Sequence, residues 1–171
     1  MPGRPSLRSA LSLLAAVALT ACTSGSDTRA PAATGPVDVS VPATSSTAVR
    51  TACAALVKAL PAELDDGVRR RPVSHDAGRT AAWGDPPITL RCGVPAPDPA
   101  LEPLSIDGLS FVTVTSAGVV TWTTAGKAVA VAIAVPASYE DQAYDIQPLV
   151  PGLKALPASP SARSATPSPG D

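Results

Sequence analysis

The chain has 171 residues, enough for one domain, with 13 basic against 14 acidic side chains and a formal charge of −1. That balance offers no phosphate-binding surface and argues against nucleic acid as a partner. Aromatic residues make up 3% of the chain, too few for the stacking platforms of many sugar and single-strand binders.

Arg4 and Arg8 give a basic start, Ala10 to Leu19 is a short apolar run, and Leu19-Thr20-Ala21-Cys22 reads as a lipobox. Small residues before the cysteine suit a signal peptidase, and the Cys22 thiol can then take a diacylglyceryl group. A membrane span needs about 20 apolar residues, more than this run supplies. An ordinary secretory signal would not need a cysteine at that place. The expectation is a lipoprotein signal peptide over 1–21 and a lipid anchor at Cys22, with the membrane as partner on the extracytoplasmic side. Cleavage removes Arg4 and Arg8 and leaves 11 basic against 14 acidic side chains, a formal −3. Two acyl chains suffice for stable anchoring where one does not.

Residues 22–46 are mostly Ser, Thr, Ala, Pro, Gly and Asp, with little to bury, and are expected to form a flexible tether. Residues 157–171 have the same character and are expected to form a disordered tail. The folded segment is then 47–156.

Ala48 to Leu60 places Val49, Cys53, Leu56 and Leu60 on one helical face, with Ser46 or Thr47 as cap and Pro61 as stop. Glu63 to Arg79 is polar and turn-rich, with Val68 to Ser74 a candidate edge strand. Arg69-Arg70-Arg71 can contact anionic lipid or an acidic wall polymer, but three charges there read first as a solvated, protected edge. Trp83 and the turn Gly84-Asp85-Pro86-Pro87 come next, followed by the alternation Ile88, Leu90, Cys92, Val94 of a half-buried strand. Cys53 and Cys92 thus both point inward. In an exported protein two such cysteines usually pair, closing a loop of about 40 residues worth about 4 kcal/mol. The alternative is two free buried thiols.

Pro95 to Pro103 is a proline-stiffened crossing, after which a meander is expected. Leu104 to Ile106 and Leu109 to Val114 flank the hairpin signal Asp107-Gly108, Val119 to Thr124 carries Trp122, and Lys127 to Val135 is uncharged after its first residue. Such a strand belongs in the centre of a sheet, because exposed it would aggregate. Ser138 with Asp141 resembles a capping box for a second helix over Tyr139 to Gln147. The expected fold is α+β: a small antiparallel meander sheet with two helices on one face and one disulfide.

The lipobox, the Cys53 helix ending at Leu60-Pro61, Trp83-Gly84-Asp85-Pro86, Leu90-Arg91-Cys92-Gly93-Val94, and Trp122-Thr123-Thr124 before the Val-rich strand form one pattern. This pattern resembles the bacterial domain-of-unknown-function family 3515. The resemblance covers the whole folded segment. It implies a membrane-anchored or secreted protein of high-GC Gram-positive bacteria and carries no activity with it.

Chemistry-bearing motifs are sparse. Ser74-His75-Asp76 has the letters of a triad, but neighbours in a strand point alternately and cannot relay a proton. Asp65 and Asp66 beside Gly67 read as a turn, and Glu140 and Asp141 suit the first turn of a helix. One histidine and two distant cysteines supply no zinc spacing, and no cofactor fingerprint is present. Trp83 with Asp85 is the candidate binding surface; the competing reading packs Trp83 over the disulfide and lets Asp85 cap its own turn. The expectation is therefore no catalytic, metal or cofactor residue. The chain reads as a lipid-anchored binding or accessory module with an envelope protein partner, against the alternative of an extracellular hydrolase.

Overall fold

The computed structural model describes residues 35–43 and 46–160, all within the compact unit Pro31–Asp171. Cys22, residues 22–34 and 44–45 of the expected tether, and residues 161–171 of the expected tail lie outside the described residues.

Ser46 opens the first helix, α1 (Thr47–Ala59), by accepting a hydrogen bond from the Val49 amide at 3.3 Å. Pro61 forces Leu60 into extended backbone and ends it. The inward face carries Cys53, Leu56 and Val57, all buried.

Seven strands follow in one antiparallel sheet. They are β1 (Arg70–Arg71), β2 (Thr80–Trp83), β3 (Ile88–Val94), β4 (Leu104–Ile106), β5 (Leu109–Ser116), β6 (Val119–Thr124) and β7 (Ala130–Pro136). Their order across the sheet is β1-β2-β3-β7-β6-β5-β4. Two meanders thus meet in the middle, and the crossing after β3 carries the chain out to the far edge. The uncharged Val-rich strand β7 lies between β3 and β6, so both of its edges are paired, with the Val131 amide satisfied by Thr124 Oγ1. The fold is α+β, as the pattern of elements indicates.

Cys53 and Cys92 form a disulfide that joins α1 to β3, with both residues fully buried. Gly93, next in the strand, has φ +79° at the register shift between Cys92 and Val94. A Cβ there would stand 2.8 Å from Val49 Cγ1, so glycine lets the helix lie close. The core between the helices and the sheet holds Trp83, Ile88, Leu90, Phe111, Trp122, Ile133, Leu149 and Leu153. Phe111 and Trp122 meet edge to face at 6.1 Å.

Three sequence expectations need correction. The second helix does not run from Tyr139 to Gln147 under a Ser138 cap. Asp141 is the cap, accepting from the Tyr144 amide, and α2 (Gln142–Ile146) runs through a 3₁₀ turn (Gln147–Leu149) into α3 (Val150–Lys154). Pro148 does not break this path, since the first turn of a helix has no use for its missing amide proton.

Second, the packed part of the chain starts before residue 47. Val37 and Val39 are buried with Ala82 on the sheet face opposite the helices, and Val37 bridges Val73 in parallel. The Val37 amide donates to Pro72 O and its carbonyl accepts from the Ser74 amide, so this part of the expected tether is a strap across the sheet. Third, the expected tail is tied down as far as Ser159, which donates to Gly126 O while Pro157 O accepts from Ala128.

Candidate functional site

Arg70 and Arg71 are consecutive strand residues and so lie on opposite faces of the sheet. Arg70 turns to the helix side, where its guanidinium donates to Val57 O at 3.2 Å and Leu60 O at 3.4 Å. It also lies 5.7 Å from the centre of the Trp83 ring. These carbonyls close the C-terminal end of α1, where a cation is favoured. Burial lowers the pKa of Arg70 from its ordinary value. Arg71, on the strap side, donates to Gly84 O at 3.0 Å and Gly35 O at 2.8 Å, and stands 3.8 Å from Asp85 Oδ1. Only Arg69 behaves as a solvated edge charge, paired with Glu63 on the surface. The edge reading holds for β1, but both of its arginines work as clamps on backbone carbonyls.

Trp83 is fully buried, and its indole N–H donates to Pro61 O at 3.1 Å. It therefore presents no ring to a partner, which corrects the candidate surface at that residue. Asp85 stays at the surface, in ion-pair range of Arg71, at the start of a cis Asp85–Pro86 peptide bond.

The turn after Trp83 meets a second element here. The Tyr139 hydroxyl donates to Pro86 O at 2.9 Å. Gly84 has φ +69°, and a Cβ on it would overlap that hydroxyl and Val68 Cγ1. Burial raises the Tyr139 pKa above its ordinary value, and the Asp145 charge adds to the shift. Asp145 itself lies on the inner side of α2 and is 7% exposed. Burial comes first among the causes that raise its pKa, followed by repulsion from Asp141, Asp66 and Asp65. The turn after Trp83, Tyr139, Asp145 and the Asp65–Asp66 turn thus form one acidic corner.

Asp145 was not singled out by its motif. The signal that marks it is spacing: it lies four residues before the buried Leu149, on the same side as Ile146. Glu140 is exposed, and Asp141 is occupied as the cap of α2. Asp66 takes φ 56° inside a 3₁₀ turn, the geometry expected of a turn aspartate.

Ser74-His75-Asp76 does not converge. The Ser74 hydroxyl donates to Val37 O, His75 Nε2 lies 3.8 Å from Asp38 Oδ1 on the surface, and the Asp76 carbonyl accepts from Thr80 Oγ1. An open hollow of about 240 Å³ lies nearby, lined by Arg50, Ala54, Asp76, Gly78 and Arg79. Arg79 is buried and donates to Pro42 O, holding the strap from the other end. Among the described residues, no three His, Cys, Asp or Glu are placed to hold a metal ion, and no helix is long and apolar enough to cross a membrane.

A family model described as protein of unknown function (DUF3515) matches residues 7–160. No curated protein and no solved structure matches the chain.

Proposed function

The chain belongs to the DUF3515 family of proteins of unknown function, and from that premise we propose that it is a lipid-anchored binding or accessory module at the outer side of a cell membrane. The observation that carries this reading is the buried Cys53–Cys92 disulfide, read together with the lipobox at Leu19–Cys22. Structural disulfides persist in oxidising compartments, and a lipobox delivers a protein to one. Absent asparagine and the excess of arginine over lysine fit a GC-rich genome.

Binding is favoured over catalysis by what the polar groups do. Asp141 is a helix cap, and Arg70 and Arg71 hold backbone carbonyls. Each is committed to a structural contact, and none stands beside a nucleophile it would activate. Among the described residues the Asp145 Oδ2 has no such contact, and its environment suits a charged partner.

Cys22→Ala tests the anchor. The variant is expected to accumulate as unprocessed or released protein, whereas the parent partitions with membranes. A Cys22→Ala protein processed and retained like the parent would overturn the lipid anchor. Turnover of ester, peptide, phosphoester or glycan substrates by the purified protein would favour the hydrolase reading instead.

A further inference from the structure

We propose that the corner between the Asp65–Gly67 turn and α2 receives one basic side chain, arginine or lysine, of a partner protein, with Asp145 as its buried counter-charge. This names the partner chemistry for the binding reading above and rests on that reading.

Asp145 is 7% exposed, and its Oδ2 is shielded from solvent with no hydrogen-bond donor in reach among the described residues. Buried carboxylates are ordinarily paired with a donor or a cation, because leaving one unpaired is costly. The charges that act on Asp145 have its own sign: Asp141 at the start of its helix, and Asp66 and Asp65 on the facing turn. Tyr139, packed beside it, is a neutral phenol whose hydroxyl is already given to Pro86 O.

The arginines of the adjacent edge have other partners, although the Arg71 charge reaches Tyr139 from the strap side. Arg69 pairs with Glu63, Arg70 closes α1, and Arg71 clamps Gly84 and Gly35. Among the described residues, the charges that act on the Asp145 carboxyl are all negative.

The rim suits a side chain better than a metal ion. Among the described residues no three carboxylates stand at metal-ligand positions, so an ion would have to draw the corner together. A guanidinium or ammonium brings its own donors on a long stem. It can place one donor on Asp145 while Asp141 and Asp66 supply charge from the rim. Tyr144, 46% exposed, stands three positions after Asp141 on the same helix face, and its amide is fixed by the Asp141 carboxylate at 3.3 Å. An exposed aromatic three positions after Asp141 offers a flat apolar wall for the stem of a side chain that approaches from the start of α2.

The test titrates isotope-labelled full chain with N-acetyl-arginine amide and N-acetyl-lysine amide, using N-acetyl-glutamine amide and calcium chloride as controls. Saturable amide shifts confined to 65–67 and 139–146 are expected with one or both basic probes, together with a fall in the titration midpoint of the Asp145 carboxyl carbon. Because the ionised carboxylate is the binding form, affinity should strengthen as pH rises through that midpoint.

Asp145→Asn, which keeps the shape, should weaken the basic probe at least about tenfold while the remaining spectrum stays superimposable. The double variant Asp66→Asn/Asp141→Asn should weaken it less, through the rim alone. Four results would overturn the proposal: no saturable shift, equal shifts with the glutamine probe, unchanged affinity in Asp145→Asn, or binding of calcium only. Since no membrane is present, failure here leaves the Cys22 anchor to be judged by its own variant.

Discussion

The two faces of the sheet use the same strands and the same alternation, yet they are built from different residues. Toward the helices β3 and β7 direct Ile88, Leu90, Cys92, Val131, Ile133 and Val135, each fully buried. On the opposite face the register sets Ala82 beside Thr89, Thr89 beside Ala134, and Ala132 beside Thr123. Helices stand off a sheet and need large side chains to fill the gap. An extended strap lies close, and Val37 and Val39 can reach Ala82 only because alanine leaves room. The first face carries most of the folding energy, and the second takes a local cover.

The sharpest way to break that division is Trp83→Ala. It removes the largest buried side chain on the helix side, together with the bond to Pro61 O and the ring under Arg70. A loss of about 3–5 kcal/mol is expected in denaturant unfolding. A loss below that of a surface substitution would mean the helix face does not dominate.

Next in size is the disulfide. Replacing Cys53 and Cys92 with alanine should cost about 2–5 kcal/mol, because the bond closes 39 residues of chain and joins α1 to the centre of the sheet. Peptide mapping without reductant should find the two cysteines joined. Quantitative alkylation of both in unreduced protein would contradict the bond.

The strap should respond more weakly. Val37→Ala and Val39→Ala each delete two buried methyl groups and should cost about 1.5 kcal/mol apiece. Hydrogen exchange should quicken around Val73 and Ala82 while the amides of α1 remain protected. Exchange that quickens equally on both faces would show that the two are not separable.

The smallest effect is electrostatic. The folded-state pKa of Asp145 is raised above its ordinary 3.8 by burial, with Asp141, Asp66 and Asp65 adding to the shift. The folded state therefore holds this proton more tightly than the unfolded chain does. Its contribution is fully present below the ordinary value and is lost as pH rises through the folded value. Asp145→Asn cannot ionise, so the melting temperature of the parent should fall relative to the variant over that rise. Parallel pH profiles for the two would show that Asp145 is not strained.

Much of the framework was legible because it rests on short-range patterns. Ile88 to Val94 alternates with period two, Val49 to Leu60 repeats with the period of a helix, and Asp107-Gly108 marks its hairpin. The inward direction of Cys53 and Cys92 follows from those two periods and brings them to the shared core where they are bonded. The strap was hidden because Val37, Val39 and Val41 alternate with period two for only five residues between Pro36 and Pro42, inside a stretch otherwise rich in Pro, Thr, Ser and Ala. The second helix was misplaced because Ser138 and Asp141 both look like caps, and only the folded backbone puts the Tyr144 amide in reach of Asp141. In the candidate site, Asp85 and Tyr139 were visible as residues but their meeting was not.

The sequence alone determined the strands β3 to β7, the first helix and the inward cysteines, since each depends on residues a few positions apart, whereas β2 (Thr80–Trp83) is too short to show a period. Tertiary structure decided what the charged residues are for. Arg70 closes a helix that ended ten residues earlier, Arg71 reaches Gly35, and Lys127 donates to Lys154 O and Leu156 O at the end of α3. Asp145 comes under the charges of Asp65 and Asp66, distant in sequence, only in the folded chain. A side chain's charge is written in the sequence. Its partner, and so its energy, is set by contacts across dozens of residues that no local period encodes.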